Sequence, residues 1–245
     1  MKKRLLLIIL SIFLLVGIVS AKGGYYYGAE TVSSGFTPSG SPVGHWSADT
    51  ITGLEDGDPV ATWPDQGGNG YDLVQATPVK RPTYKTGIQN ELPIVRCSGQ
   101  SMQADFEQTY NQPNTYFVVA RNNEDKDDQR QITDGGSDGA RAIIMKLAQW
   151  TLYAGASLAS STNRDQVWHT FAALFNGDNS ILNLDGLEIA NGAAGAANPT
   201  GVTLASRFGQ TSGFWNGDIG ELIMYDGSEA FANNEAGLKT KWDTP

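Results

Sequence analysis

Two acidic residues in the C-terminal part of the chain could do carbohydrate chemistry if they lay side by side. Asp218 and Glu221 belong to the segment Asn216-Gly217-Asp218-Ile219-Gly220-Glu221. Hydrolysis of a glycosidic bond with retention of configuration needs two carboxyl groups about 5 Å apart. Residues three apart in a regular strand point to opposite faces, and only a bulge, with Gly220 as the extra residue, would bring them together. The spacing therefore favours a structural role for both carboxylates.

Other residue types that commonly carry chemistry are few in this sequence. The two histidines, His45 and His169, are far apart, and neither has neighbours at metal-ligand spacing. No nucleophile elbow, phosphate-binding loop or zinc motif is present in the sequence. Its one cysteine, Cys97, cannot form an internal disulfide, and we expect a buried, unreactive thiol. The sequence therefore contains no complete catalytic motif.

A loop rich in acidic and amide side chains is a candidate calcium site. Asp65, Asn69 and Asp72 lie in one glycine-rich segment, and Ca²⁺ takes oxygen ligands from such side chains and from backbone carbonyls. The spacing does not match an EF-hand. Asn-Gly is equally a turn signal, so a turn without a metal is the alternative. We predict Asp65, Asn69 and Asp72 as the ligands if calcium is bound.

Aromatic residues beside amides are the candidates for sugar binding. Exposed aromatic rings flanked by polar groups suit recognition surfaces, and Trp150, Tyr153, Trp215 and Asn216 fit this description, with Gln149 as a further amide. The alternative is that the rings are core residues, because large aromatic side chains are mostly buried. Strand patterns favour that alternative for Trp46, Trp63 and Trp168.

The elements that must position these residues are predicted to be strands. Short apolar segments recur from Val43 onward, with Gly, Asn, Asp or Pro between them. In residues 167–190 three strands are predicted, at 167–175, 181–184 and 187–190, and Asp185-Gly186 suits a two-residue type I′ turn between the last two. Ten or more short strands without helical patterns between them indicate an all-β sandwich or barrel.

One helix is predicted, near residue 245. Ser228 can cap it, and Phe231, Leu238 and Trp242 recur at spacings of seven and four on one face. This apolar stripe indicates a helix that packs across the strands.

The N-terminal residues have the layout of a secretory signal. Lys2, Lys3 and Arg4 precede an apolar run that ends in small residues, so residues 1–21 are predicted to be a cleaved signal peptide. An uncleaved anchor is the alternative, but the run is short for the roughly 20 residues of a spanning helix. Residues 22–42, rich in Gly, Ser and Tyr, are predicted to be a flexible linker, and residues 43–245 the folded domain.

The charge of the mature chain limits its partners. Loss of residues 1–21 removes three of the 17 basic residues and none of the 26 acidic ones, which leaves 14 against 26 and a net charge of −12. Such a charge repels phosphate backbones and anionic lipid surfaces. We therefore predict no nucleic-acid partner, and no membrane contact after signal cleavage.

Four segments of the sequence resemble the laminin G-like, concanavalin A-like family. They are the opening residues 45–49, the tryptophan strand and exit at 58–84, the Trp168-His169-Thr170-Phe171 start with its Asp185-Gly186 turn, and the closing residues 214–226. The resemblance covers most of residues 43–242 and implies a two-sheet antiparallel jelly-roll sandwich with the short C-terminal helix added. One departure is Cys97, where the family commonly has an aromatic residue.

The resemblance also implies what the protein does. Catalytic members carry Glu-x-Asp-x-x-Glu on one strand, whereas this chain has Asn216 at the first position, and amide nitrogen and oxygen cannot replace the nucleophile. We therefore predict a secreted, non-catalytic module that binds carbohydrate or a glycosylated cell surface, with the calcium that the family often holds. The alternatives are a glycoside hydrolase or lyase on the same scaffold, and a purely structural extracellular or virion surface domain.

Overall fold

The computed structural model of the protein describes residues 35–124, 130–139, 141–229 and 231–245. The predicted signal peptide and most of the predicted linker lie outside these residues. From Gly35 onward the described residues belong to one compact unit. No helix within them is long and apolar enough to cross a membrane.

The architecture is all-β, as the sequence predicts. Seventeen strands and one α-helix follow one another along the described chain. The strands are β1 (Gly44–Ser47), β2 (Thr62–Trp63), β3 (Leu73–Val74), β4 (Thr83–Gln89), β5 (Leu92–Ser98), β6 (Met102–Asp105), β7 (Asn114–Asn122), β8 (Arg130–Gln131), β9 (Thr133–Gly135), β10 (Ile143–Lys146), β11 (Gln149–Tyr153), β12 (Ser157–Asn163), β13 (Trp168–Phe175), β14 (Ser180–Leu184), β15 (Leu187–Gly192), β16 (Gly201–Leu204) and β17 (Asn216–Asp226). The helix is α1 (Phe231–Trp242).

The strands form two antiparallel layers. The first layer is an eight-stranded sheet in the order β15-β14-β13-β7-β17-β5-β4, with β1 paired to β17. The second layer contains a four-stranded sheet, β12-β11-β10-β8, and a five-stranded sheet, β2-β3-β6-β16-β9. Ile132 joins these two, because its N–H donates to Ile144 on one side and its carbonyl accepts from Ala205 on the other. The predicted all-β sandwich with a short C-terminal helix is confirmed.

The three-strand segment predicted at residues 167–190 forms β13, β14 and β15. Asp185 and Gly186 have φ of 55° and 87°, the positive values that a type I′ turn requires at both central positions. Leu182 and Leu184 of β14 are buried, while Ile181 and Asn183 between them are half-buried. The alternation and the turn chemistry therefore fix this hairpin as predicted.

The helix α1 covers the face of the first sheet that is turned away from the second layer. The Phe231 ring meets the Phe117 ring of β7 edge to face at 5.8 Å, and the Trp242 ring lies nearly parallel to that of Trp168 at 6.4 Å. Leu238 and Trp242 are buried, as the predicted apolar stripe requires. Residues on this face of the sheet are therefore enclosed by the helix.

Candidate functional site

The strand β17 carries both acidic residues singled out from the sequence, and it has a bulge between them. Ile219 pairs with Ala120 and Glu221 with Val119, so Gly220 is the extra residue. The bulge turns Asp218 and Glu221 to the same face of the sheet, the one covered by α1. In a regular strand the two side chains would point to opposite faces. Here they share a face, because Gly220 is an extra, unpaired residue that shifts the register by one.

Asp218 is fully buried and is held by two arginines. Its Oδ1 accepts from Arg96 Nε at 2.7 Å, and its Oδ2 accepts from Arg121 Nη2 at 2.6 Å. The registers place Trp168, Arg121, Asp218 and Arg96 in one row across β13, β7, β17 and β5. One carboxylate between two guanidinium groups leaves the row with a net positive charge.

Glu221 is also fully buried and is saturated by donors. Its Oε1 lies 2.6 Å from His45 Nε2, and its Oε2 accepts from Trp242 Nε1 at 2.8 Å and from Lys241 Nζ at 2.9 Å. Burial opposes its ionisation, but the hydrogen bond to His45 and the positive charge of Lys241 outweigh burial and hold the Glu221 pKa below its ordinary value. Lys241 also binds Asp49 at 3.0 Å. The cluster ties β1, β17 and α1 together.

A cavity of about 540 Å³ lies beside this row, at the end of α1. Its volume is within the range of small-molecule sites. We name it the Arg121 cavity; its lining comprises Gln89, Arg121, Gln166, Val167, Trp168 and residues 243–245.

Two polar groups of the Arg121 cavity, the side chains of Arg121 and Gln89, are held by their neighbours. Arg121 Nε donates to Asn123 at 3.1 Å, and its guanidinium lies over the Trp168 ring at 5.3 Å. Gln89 Nε2 donates to the carbonyl oxygen of Trp242 at 2.6 Å, and Gln166 and Val167 are exposed. A preformed guanidinium beside amide and hydroxyl groups can hold a ligand rich in hydrogen-bonding groups.

Trp150 and Trp215, two of the predicted sugar-binding residues, lie in the core. They are 1 % and 0 % exposed, and their ring centroids are 6.1 Å apart. Trp150 also meets Phe171 of the first sheet at 4.8 Å, so it points between the layers. These two rings therefore do not form an open stacking surface, and the alternative that they are core residues is confirmed, because alternation along β11 turns Trp150 inward together with Leu152.

Tyr153 and Asn216, the other two predicted residues, are half-buried. Tyr153 is on the outer side of β11, where the Arg141 guanidinium lies 5.4 Å from its ring and also binds the buried Asp134 at 3.0 Å. Asn216 donates its side-chain amide to the Glu124 carboxylate. Both residues are therefore engaged in contacts within the domain, and the four predicted residues do not form one surface.

The predicted calcium loop is held by its own hydrogen bonds. Asp65 accepts from the backbone N–H groups of His45 and Gly67 through Oδ1 and of Tyr71 through Oδ2. Asp72 Oδ1 accepts from the Asp65 N–H at 2.9 Å, and Asn69 donates to the Val43 carbonyl at 2.9 Å. Within the described ranges no cluster of three or more His, Cys, Asp or Glu side chains could hold a metal. Calcium binding stays a prediction.

The residues of the Arg121 cavity were not predicted from the sequence as a site. They come from positions as far apart as 89 and 245, and no spacing rule joins them. Trp168 was expected to be buried, and it is.

Comparison with known proteins identifies the fold and no closer relationship. No family model matches the chain, and no curated protein matches it. A sialidase of Trypanosoma rangeli in complex with sialic acid matches with a TM-score of 0.57 and 12% identity over 82% of this chain. Domain 4 of AbnA, a GH43 extracellular arabinanase of Geobacillus stearothermophilus, in complex with arabinotriose, matches with a TM-score of 0.55 and 11% identity over 75% of this chain. A GH54 α-L-arabinofuranosidase matches with a TM-score of 0.53 and 14% identity over 75% of this chain.

The matches differ in how much of the other protein they cover. The chain spans 33% of the sialidase and 50% of the arabinofuranosidase, but 99% of the arabinanase domain. At these identities the likeness shows a shared β-sandwich fold and nothing about residues.

Proposed function

We propose that this chain is a secreted, non-catalytic carbohydrate-binding domain of the concanavalin A-like, laminin G-like jelly-roll type. The observation that carries the proposal is the Arg121 cavity, with its fixed guanidinium and amide groups. Sugars present many hydroxyl groups in a rigid ring, and such lining matches them with donors and acceptors that are already oriented.

The solved structures of the same fold support a sugar as the ligand. Domain 4 of the arabinanase is close to this chain in extent and was solved with arabinotriose, and the sialidase was solved with sialic acid. A domain of this fold can therefore occur as part of carbohydrate-active proteins, and we assign this chain to that role.

The absence of catalysis is supported by the state of the two carboxylates. Asp218 and Glu221 are both 0 % exposed, and each is bound by two or more donors. A catalytic pair must reach the substrate on either side of the scissile bond. Neither carboxylate can reach a substrate, because both are buried on the face of the sheet that α1 covers.

The proposal is tested by NMR titration of the ¹⁵N-labelled domain with arabino-oligosaccharides, sialyllactose and neutral β-glucans. We expect shifts of the Gln166, Val167 and Thr244 amides at millimolar ligand. Gln166→Ala and Val167→Asp change exposed cavity residues and are expected to weaken binding about tenfold, roughly 1.4 kcal/mol. Gln66→Ala, an exposed residue outside the cavity, is the matched control. Shifts only around Tyr153 and Asn216, or none with any sugar, would contradict the proposal.

The same titration, repeated with calcium and with a chelator, tests the predicted metal ligands. Calcium at Asp65, Asn69 and Asp72 would shift the amides of residues 65–72 and stabilise the domain. If the spectra with calcium and with the chelator were identical, the predicted calcium site would be wrong.

A glycoside hydrolase or lyase is the second candidate, because the Gly220 bulge brings Asp218 and Glu221 to one face. Its test is the release of reducing or unsaturated sugar from a broad polysaccharide panel. Activity that is lost in both Asp218→Asn and Glu221→Gln, while circular dichroism shows both variants folded, would establish it. Inactivity on all substrates would end it.

A further inference from the structure

A second cavity of about 540 Å³ lies on the other side of α1, next to the β14–β15 hairpin. We name it the Glu235 cavity. None of its lining residues belongs to the Arg121 cavity. The residues that matter for its chemistry are Asn183 of β14 and Phe231, Glu235, Lys239 and Thr240 of α1.

Glu235 has a carboxyl oxygen that lacks a donor. The residue is 4 % exposed, and its Oε2 accepts from Asn183 Nδ2 over a long 3.3 Å. Its Oε1 is buried, and none of the side chains and backbone groups in the described ranges donates to it. Burial raises the Glu235 pKa above its ordinary value, although the hydrogen bonds from Asn183 and from the Gly186 backbone N–H and the positive charge of Lys239 partly offset the effect. A carboxylate left in this state is costly unless a donor is supplied.

The neighbouring cation does not supply that donor. Lys239 Nζ donates to the backbone carbonyl of Asp185 at 2.7 Å, and the described residues include no ion pair between Lys239 and Glu235. Lys239 is therefore committed to the hairpin turn, and the negative charge of Glu235 lacks a direct partner.

One turn before Glu235 on the same face of α1, the Glu235 cavity is lined by an aromatic ring. Its residue, Phe231, meets Phe117 edge to face and is half-buried, so part of the side chain remains accessible. A carboxylate oxygen accepts hydrogen bonds from a cation, and the face of an aromatic ring attracts a cation as well. A cation with several N–H donors can therefore interact with both.

We propose that the Glu235 cavity binds a small ligand with a primary ammonium group, such as an amino sugar. The ammonium group donates to Glu235 Oε1, its remaining N–H groups reach the Asn183 and Thr240 oxygens, and the carbon skeleton packs on Phe231. This site is separate from the Arg121 cavity and does not depend on the function proposed for that cavity.

The test compares three probes that share one ring, namely glucosamine, N-acetylglucosamine and glucose, by NMR titration and calorimetry. We expect glucosamine to bind at least about tenfold more tightly than the other two, because acetylation removes the charge and glucose lacks it. Glucosamine should shift the amides of residues 235–240. Equal affinity of the three probes, or shifts elsewhere only, would overturn the proposal.

Variants separate this site from the Arg121 cavity. Glu235→Gln keeps the side-chain shape and is expected to weaken glucosamine binding about tenfold or more. Glu107→Gln, an exposed carboxylate outside the cavity, and Gln166→Ala, in the Arg121 cavity, are expected to leave it unchanged. Binding of glucosamine that survives Glu235→Gln would refute the proposal, whether or not neutral sugars bind at Arg121.

The pH dependence adds an independent readout. Since the ammonium group binds the carboxylate form, affinity should fall as the pH decreases through the raised Glu235 pKa, and this fall should be absent in Glu235→Gln. Affinity that does not change with pH in the acidic range would also count against the proposal.

Discussion

Trp242 donates its indole N–H to the buried carboxylate of Glu221 over 2.8 Å, from the last turn of α1 to the middle of β17. Both residues are 0 % exposed. The bond therefore fixes the helix at one position over the sheet, and it does so next to the cavity that we assign to sugar binding.

Loss of this bond should destabilise the domain. Trp242→Phe removes the donor from a buried charged group, and such hydrogen bonds contribute about 1.5–3 kcal/mol. Trp63→Phe is a matched control, because Trp63 is equally buried but its Nε1 has no partner among the described residues. In urea unfolding, we expect Trp242→Phe to lower the free energy of unfolding more than Trp63→Phe does, by about that amount. Equal losses would mean that the bond contributes nothing to stability.

The bulge residue Gly220 has no room for a side chain. A Cβ there would lie 2.8 Å from atoms of the Trp242 ring, closer than carbon atoms can pack. Gly220→Ala should therefore push the ring away and lower the free energy of unfolding by about 1–3 kcal/mol, as overpacking does. Gly139→Ala has nothing within 4 Å of the added atom and should change stability by less than about 0.5 kcal/mol. If the two variants were equally stable, Trp242 would not be packed on this glycine.

The stability of the domain should depend on the protonation of His169. The imidazole lies between Asp185, 2.6 Å from Nδ1, and Asp165, 2.7 Å from Nε2. Burial opposes its charged form, but hydrogen bonds to both carboxylates outweigh burial and raise the His169 pKa.

A raised pKa fixes the sign of the effect. The stabilisation by His169 is fully present below the unfolded-state pKa of about 6.5 and is lost as the pH rises through the folded-state pKa. We expect wild type and His169→Gln to differ most in unfolding free energy at acidic pH and least at alkaline pH. Asp165→Asn should lower the NMR-measured His169 pKa. A wild-type advantage that grows with pH would contradict this assignment.

Cys97 should be unreactive in the native protein. The side chain is 0 % exposed, and burial raises the pKa of its thiol, so the reactive thiolate is suppressed. A thiol reagent such as Ellman's reagent should label it only after denaturant is added. Rapid labelling without denaturant would show that β5 opens in the native state.

The fold could be predicted in large part from local sequence. The Asp185-Gly186 turn and the alternation on either side of it are short-range signals, and they place β13, β14 and β15 correctly. The expected burial of Trp46 and Cys97 is confirmed for the same reason, since each lies in a strand pattern with one apolar face.

The site could not be predicted in the same way. Alternation along a strand tells which residues share a face, but it does not tell which distant strand that face meets. The packing of Trp150 on Phe171 in the core and of Trp168 on Arg121 at a cavity depends on the pairing of distant strands. The sequence names Gly220 as the place of a possible bulge, but the bulge itself is a shift in the register with β7 and depends on that neighbouring strand. Contacts between residues that are far apart in the sequence do not produce a regular sequence pattern from which they could be predicted.

The partners of Glu221 have a consequence for how the chain is made. His45 lies near the start of the folded domain, and Lys241 and Trp242 follow it by almost 200 residues. A nascent chain on the ribosome therefore carries an unneutralised acidic group at the centre of its largest sheet until nearly all of the domain has emerged. Such a chain should stay protease-sensitive during translation and compact in one late step.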